Sequence, residues 1–122
     1  MKAQSWQELE WEVVTKDLSR KIVTGKNVMV AQIRLAKGAL VPEHSHPNEQ
    51  ISQILHGALH FWLPDQEFVL VPGQVLVIPP GVAHKALALE ETLALDCFSP
   101  IRQDWLDHTD TYFHNADAPP PA

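Results

Sequence analysis

The stretch Gly38-Ala39-Leu40-Val41-Pro42-Glu43-His44-Ser45-His46-Pro47-Asn48-Glu49-Gln50, followed after six residues by Gly57, places His44, His46 and Gln50 within seven residues of one another, between glycines that can turn a chain. A second punctuated stretch runs from Gly73 to Pro79-Pro80-Gly81-Val82-Ala83-His84 and offers His84 as a candidate fourth ligand. In a β-strand alternate side chains share a face, so His44, His46 and Gln50 all turn inward if the segment stays extended. Imidazole and amide groups facing a barrel interior are costly to bury unless something binds them. A divalent metal would satisfy them together. The competing reading makes them surface-loop residues beside Pro42 and Pro47; paired histidines with a distant third favour the metal.

The chain has 122 residues, enough for one domain with a buried core and too few for two ordinary ones. Its composition, 45% hydrophobic and 20% charged, is a globular balance and excludes a disordered chain. A formal net charge of -6 and the absence of any Lys/Arg run argue against a nucleic-acid surface. The single cysteine, Cys97, rules out an intrachain disulfide and fits a reducing compartment. The first residues lead into Trp6, Glu8, Glu10 and Glu12 without an apolar signal-peptide core, and no run of about eighteen apolar residues suggests a membrane span. The expectation is a soluble, cytoplasmic protein.

Around the two motifs the sequence reads as short strands at intervals of about eight to twelve residues, punctuated by Gly and Pro, the signature of an antiparallel barrel or sandwich. The runs are 20–23, 28–35, 51–55, 58–63, 67–71, 74–78, 85–89 and 92–98, with turns at Gly25-Lys26-Asn27, Lys37-Gly38, His56-Gly57, Pro64-Asp65-Gln66, Pro72-Gly73 and Pro79-Pro80-Gly81. Residues 1–18 form an arm, a short helix or an irregular segment, whose Trp6 and Trp11 must cover either the barrel or a second subunit. The barrel occupies about 19–100. In the C-terminal extension, 101–122, Asp104 to His108 can open a helical turn, and the proline-rich end from Ala116 reads as a frayed terminus.

The two motif stretches resemble the paired signatures of the cupins. Gly38, His44, His46 and Gly57 meet the first signature, with Gln50 where glutamate usually stands. Gly73, Pro79, Gly81 and His84 meet the second, with Ala88 replacing its usual terminal asparagine. The resemblance covers about 20–100 and implies an all-β fold, an antiparallel double-stranded β-helix or jelly-roll barrel, with an inward-facing metal held by His44, His46, Gln50 and His84. Three neutral imidazoles and a neutral amide leave the charge of a dication uncompensated, which suits an anionic substrate. Glu49 is the rival to Gln50 as ligand, but strand parity sends it to the other face. Nickel, zinc, cobalt, iron and manganese all suit such a donor set, so the metal's identity stays open.

A narrower likeness lies in His44 to Gln50 together with Asp96-Cys97-Phe98-Ser99-Pro100-Ile101-Arg102, then Asp104, Trp105 and Leu106. It resembles the KdgF-type cupins of pectin and alginate breakdown, which ketonise 4,5-unsaturated uronic acids to linear keto sugar acids. The resemblance implies catalytic roles for Asp96, Arg102 and Phe98: Arg102 offers a forked donor pair to the substrate carboxylate, Asp96 relays a proton, and Phe98 shapes the wall. It implies a homodimer through edge strands as well. Without it, Asp96 and Arg102 read as an ion pair at the barrel mouth and Phe98 as core. His60 and Trp62 share a strand face and either line the cavity or pack outside it. His56, His108 and His114 read as solvated. A metal-dependent oxygenase or lyase, and a non-catalytic binder of small acids or sugars, are the competing functions, because one barrel hosts many chemistries.

Overall fold

Gly and Pro punctuation cuts the chain into ten antiparallel strands in a computed structural model that describes residues 1–112. They are β1 (Glu12–Thr15), β2 (Leu18–Thr24), β3 (Met29–Leu35), β4 (Leu40–His44), β5 (Glu49–His56), β6 (Leu59–Leu63), β7 (Gln66–Leu70), β8 (Val75–Ile78), β9 (His84–Ala88) and β10 (Thr92–Ser99). A six-stranded sheet in the order β1-β2-β3-β10-β5-β8 faces a four-stranded sheet in the order β4-β9-β6-β7. This is the all-β, two-sheet antiparallel architecture that the resemblance implies. His114 and the proline-rich end from 116 lie outside the described residues.

Period-two alternation sorts the side chains. On β3, Met29, Ala31, Ile33 and Leu35 are buried, while Arg34 between them is exposed. The same rhythm buries Gln50, Ser52 and Ile54 on β5 and His84, Ala86 and Ala88 on β9. Polar groups therefore enter the interior on the same strand faces as aliphatic ones, towards one end of the barrel. At its other side the turn between β5 and β6 closes on Gly57, whose φ of +93° favours glycine and where a Cβ would sit 2.4 Å from the Glu91 carbonyl oxygen and 2.5 Å from Thr92 Oγ1. No other residue fits so near a neighbouring backbone.

The N-terminal arm departs from expectation. Only Trp6–Glu8 is helical, as a single 3-10 turn, and Glu12-Val13-Val14-Thr15 extends the six-stranded sheet by pairing with β2. Two adjacent valines followed by threonine favour a pleated surface over a helix, and β2 offers a free edge to receive them. Trp11 packs within the chain, its ring under both the Lys21 ammonium (4.6 Å) and the Arg34 guanidinium (4.3 Å). Neither helix nor loop is needed to cover it.

After β10 the chain turns through a cis Ser99–Pro100 bond into the short helix α1 (Gln103–Leu106), the helical turn expected from Asp104 onward. Its Trp105 is buried against Phe98, edge to face at 4.9 Å, and under the guanidinium of Arg20 at 4.5 Å. Arg20 is itself buried, and Nη1 donates to Asp110 Oδ2 (2.7 Å) while Nε donates to Glu12 Oε2 (3.0 Å). One buried arginine thus ties β1, β2 and the C-terminal extension together. No helix among the described residues is long and apolar enough to cross a membrane.

Candidate functional site

His44 ends β4 and His84 begins β9, directly opposite it in the register of the pair. The extended segment stops at His44, so strand parity alone does not carry His46 and Gln50 inward. Residues 45–48 form a loop instead, clamped by Gly81 N–H donating to the His46 carbonyl (2.9 Å), and β5 resumes at Glu49 with Gln50 inside and Glu49 exposed. Asn48, to which the sequence assigned no role, holds this loop to the far segment: its Nδ2 donates to the carbonyls of Pro100 (2.7 Å) and Ile101 (3.1 Å).

One potential ligand atom each from His44, His46 and His84 lies within 4.8 Å of the others. In all three rings Nδ1 faces a backbone carbonyl: Pro42 for His44 (2.8 Å), Asn48 for His46 (3.1 Å) and Val82 for His84 (2.9 Å). A carbonyl can only accept, so each Nδ1 carries the hydrogen and each Nε2 carries a lone pair. The rings are kept neutral. Burial, joined by the charges of His84 and His46 and then of Arg102, depresses His44 to about 3, and burial with the Arg102 charge depresses His46 to about 4. His84 is lowered too, by burial ahead of Arg102.

The donor set fits a cation. His84 Nε2 is the one fully buried side-chain nitrogen or oxygen among the described residues without a hydrogen-bond partner. His46 Nε2 faces Gln50 Oε1 at 3.0 Å, two lone pairs turned towards each other. Such an arrangement is repulsive when empty of positive charge and favourable around it. Fixing Nδ1 on carbonyls is the outer-shell device that orients imidazole ligands.

The same cavity is lined by Asp96, Phe98 and Arg102 beside His44, Gln50 and His84. Its other walls are aliphatic, among them Leu35, Val41 and Leu59. Asp96 stands opposite Ser52 in the β10–β5 register. Burial raises its carboxyl to about 6, against the opposing pull of the Ser52 hydroxyl and the Arg102 charge. Phe98 is buried, edge to face with His46 at 5.8 Å, and belongs to both wall and core.

Arg102 corrects the expected geometry. Its Nε and Nη2 grip Asp104 (3.0 and 2.8 Å), and Nη2 also donates to the Tyr112 hydroxyl (3.0 Å), so the fork is not open to a substrate carboxylate. Nor does it pair with Asp96 as a mouth ion pair; among the described residues its ion-pair partner is Asp104. Only Nη1 is without a hydrogen bond to these residues. The guanidinium nonetheless sets a positive field across the pocket, resting against the rings of Trp105 at 4.6 Å and Phe98 at 5.1 Å.

Tyr112 was not legible in the sequence. It lines the cavity, with its ring stacked on His44 at 3.9 Å and 7° between planes and its hydroxyl receiving Trp105 Nε1 (3.3 Å) as well as Arg102. A tyrosine ten residues beyond Arg102 carries no spacing signal; the latch of Arg20 to Asp110 brings it back over the site. His60 and Trp62 lie outside the cavity, stacked on each other at 3.8 Å, with His60 against Glu67 and Trp62 under Lys85. His56 is exposed, and His108, also exposed, meets Glu12 at 3.0 Å.

Comparison with known proteins agrees with this geometry. No curated protein sequence matches the chain. KdgF from Halomonas sp. is similar to it at 33% identity and a TM-score of 0.79, covering 83% of this chain and 96% of that one. An RmlC-like cupin from Shewanella frigidimarina is similar at 28% identity and a TM-score of 0.79, with 84% and 93% covered. An oxalate decarboxylase variant from B. subtilis, 20% identical, shares the fold over 93% of this chain and 36% of its own, with a TM-score of 0.73. The family model for the cupin domain matches residues 31–98. With two sheets closed around three convergent imidazoles and more than half its length matched by that model, the chain belongs to the cupin family.

Proposed function

We propose that this cupin opens 4,5-unsaturated uronic acids and converts them to linear keto sugar acids. The observation that carries the reading is a carboxyl with a raised pKa, Asp96, on the wall of a cavity that holds the neutral His44, Gln50 and His84 donors and lies in the field of Arg102. Similarity to KdgF from Halomonas sp. supports it.

The reaction is an isomerisation, so it needs a proton moved and nothing oxidised. Asp96, ionised above about 6, accepts the hydrogen of the anomeric hydroxyl as the bond between the anomeric carbon and the ring oxygen breaks. The freed enolate then takes that proton at its carbon, from the same carboxyl, and becomes a ketone. Arg102 attracts the substrate carboxylate through its positive field and Nη1. Phe98 and the aliphatic wall exclude water from the carboxyl and keep its pKa near the working pH. A divalent cation held by His44, His46, Gln50 and His84 would supply Lewis acidity towards the substrate's oxygens.

The test is to add purified, metal-loaded protein to freshly lyase-generated unsaturated uronate and follow the absorbance of the conjugated enol acid. The reading expects its decay to accelerate in proportion to protein concentration, without oxygen. A rate equal to that in buffer rejects it.

A further inference from the structure

Ser52 occupies an unspecified position of the first motif, between Gln50 and Gly57, and touches no solvent: its relative exposure is 0%. It lies two residues after Gln50 on the same inward face of β5, and directly opposite Asp96 on β10. Gln50 Nε2 donates to Ser52 Oγ at 2.9 Å. Across that strand pair the Ser52 hydroxyl favours the charged form of the Asp96 carboxyl. A carboxylate has no hydrogen to give, so the hydroxyl donates its single hydrogen to Asp96 and can only accept from Gln50.

That direction decides which end of the Gln50 amide faces the imidazoles. His46 gives its Nδ1 hydrogen to the Asn48 carbonyl, so its Nε2, 3.0 Å from Gln50 Oε1, carries a lone pair. Considered with His46 alone, the amide would gain a hydrogen bond by turning its NH2 to that lone pair. The turned amide would present its oxygen to Ser52, which would have to take its hydrogen away from Asp96. Ser52 opposes the flip for that reason.

We propose that Ser52 is the positioning residue of the centre, holding the Gln50 amide with its oxygen towards His44, His46 and His84 by committing its own hydrogen to Asp96. The proposal rests on the reading of these four side chains as metal ligands. It also accounts for glutamine at position 50. A carboxylate there would have no hydrogen for Ser52, and two carboxylates would compete for one hydroxyl hydrogen.

A carboxylate presents an oxygen to the imidazoles in either orientation, which supplies the discriminating test. Zinc affinity is measured by chelator competition for the full-length chain, Ser52→Ala, Gln50→Glu and the double variant, each checked for cooperative thermal unfolding. The expected result is a loss of about 10- to 100-fold when Ser52→Ala is made in the unaltered chain, the range for outer-shell partners, and less than about threefold when it is added to Gln50→Glu. An equal loss in both backgrounds, or none with Gln50 in place, overturns the role of Ser52. Failure of the unaltered chain to bind zinc overturns the metal reading itself, and the proposal with it. A measurement on unaltered protein stands even where a variant fails to fold: NMR of the zinc-loaded chain should show the Gln50 side-chain NH2 hydrogens close to the Ser52 β-hydrogens. Proximity to the His46 ring hydrogens instead overturns the proposal.

Discussion

Asp96 is where environment turns an ordinary carboxylate into a candidate acid–base group. Burial lifts it to about 6 although Ser52 and Arg102 favour its charged form. If it works as a base on the anomeric hydroxyl, kcat/KM with unsaturated uronate should fall about tenfold per pH unit below pH 6 as the carboxyl takes up its proton. Asp96→Asn should lower the rate by about 10²- to 10⁴-fold and abolish that limb, as a pH–rate series on both proteins would read. A variant retaining the acid limb would assign it to another group. The histidine spacing, the inward glutamine and this aspartate were all legible in the sequence, because short-range patterns and the resemblance fix them. Ser52, Asn48 and Tyr112 were not. Each matters through a partner far along the chain, Asp96, Pro100 and Arg102 with His44 respectively, and only strand register or the latched extension brings those together.

At the scale of elements, turns and latches position the site. Gly57 combines a left-handed backbone with a close approach to Glu91 and Thr92, so Gly57→Ala should destabilise the chain by at least about 1 kcal/mol, with strain added to the steric overlap. Thermal unfolding would measure it; an unchanged midpoint would mean that the turn can relax. The C-terminal extension depends on Arg20, whose charge is buried between Asp110 and Glu12. Removing one partner of a buried pair leaves charge uncompensated, and Asp110→Ala should cost about 3 kcal/mol, the low end for such pairs because Glu12 remains. Denaturant unfolding checks that, and stability within about 0.5 kcal/mol of the unaltered chain, the scatter of surface substitutions, would count against the latch. The strands were readable from Gly/Pro punctuation and alternation. β1 was not, because four residues beside two tryptophans carry too short a period to separate strand from arm, and a free sheet edge decided the outcome.

The whole molecule carries its polar centre at the expense of acid stability. His44 at about 3, His46 at about 4 and the lowered His84 refuse protons that the unfolded chain accepts below about 6.5. Their contribution is present above pH 6.5 and is lost as pH falls. Asp96 works the other way: its contribution is full below its ordinary 3.8 and is lost as pH rises through about 6. Around pH 5 His44 and His46 together outweigh Asp96 by about one proton, so the metal-free protein should lose on the order of 1 kcal/mol per pH unit there, and the lowered His84 adds to the loss. Thermal midpoints at pH 7, 6 and 5 should decline steadily, and a flat series would show that the imidazoles are not buried neutral.

The central claim is that the Nε2 atoms of three carbonyl-anchored imidazoles and the Gln50 amide oxygen converge on one divalent cation. An anomalous difference map at the metal absorption edge, from crystals of the metal-loaded protein, tests this most directly. A single strong peak bounded by Nε2 of His44, His46 and His84 and by Gln50 Oε1 is the expected result. No peak there, or a metal bound through Nδ1 of any of the three rings, would contradict it.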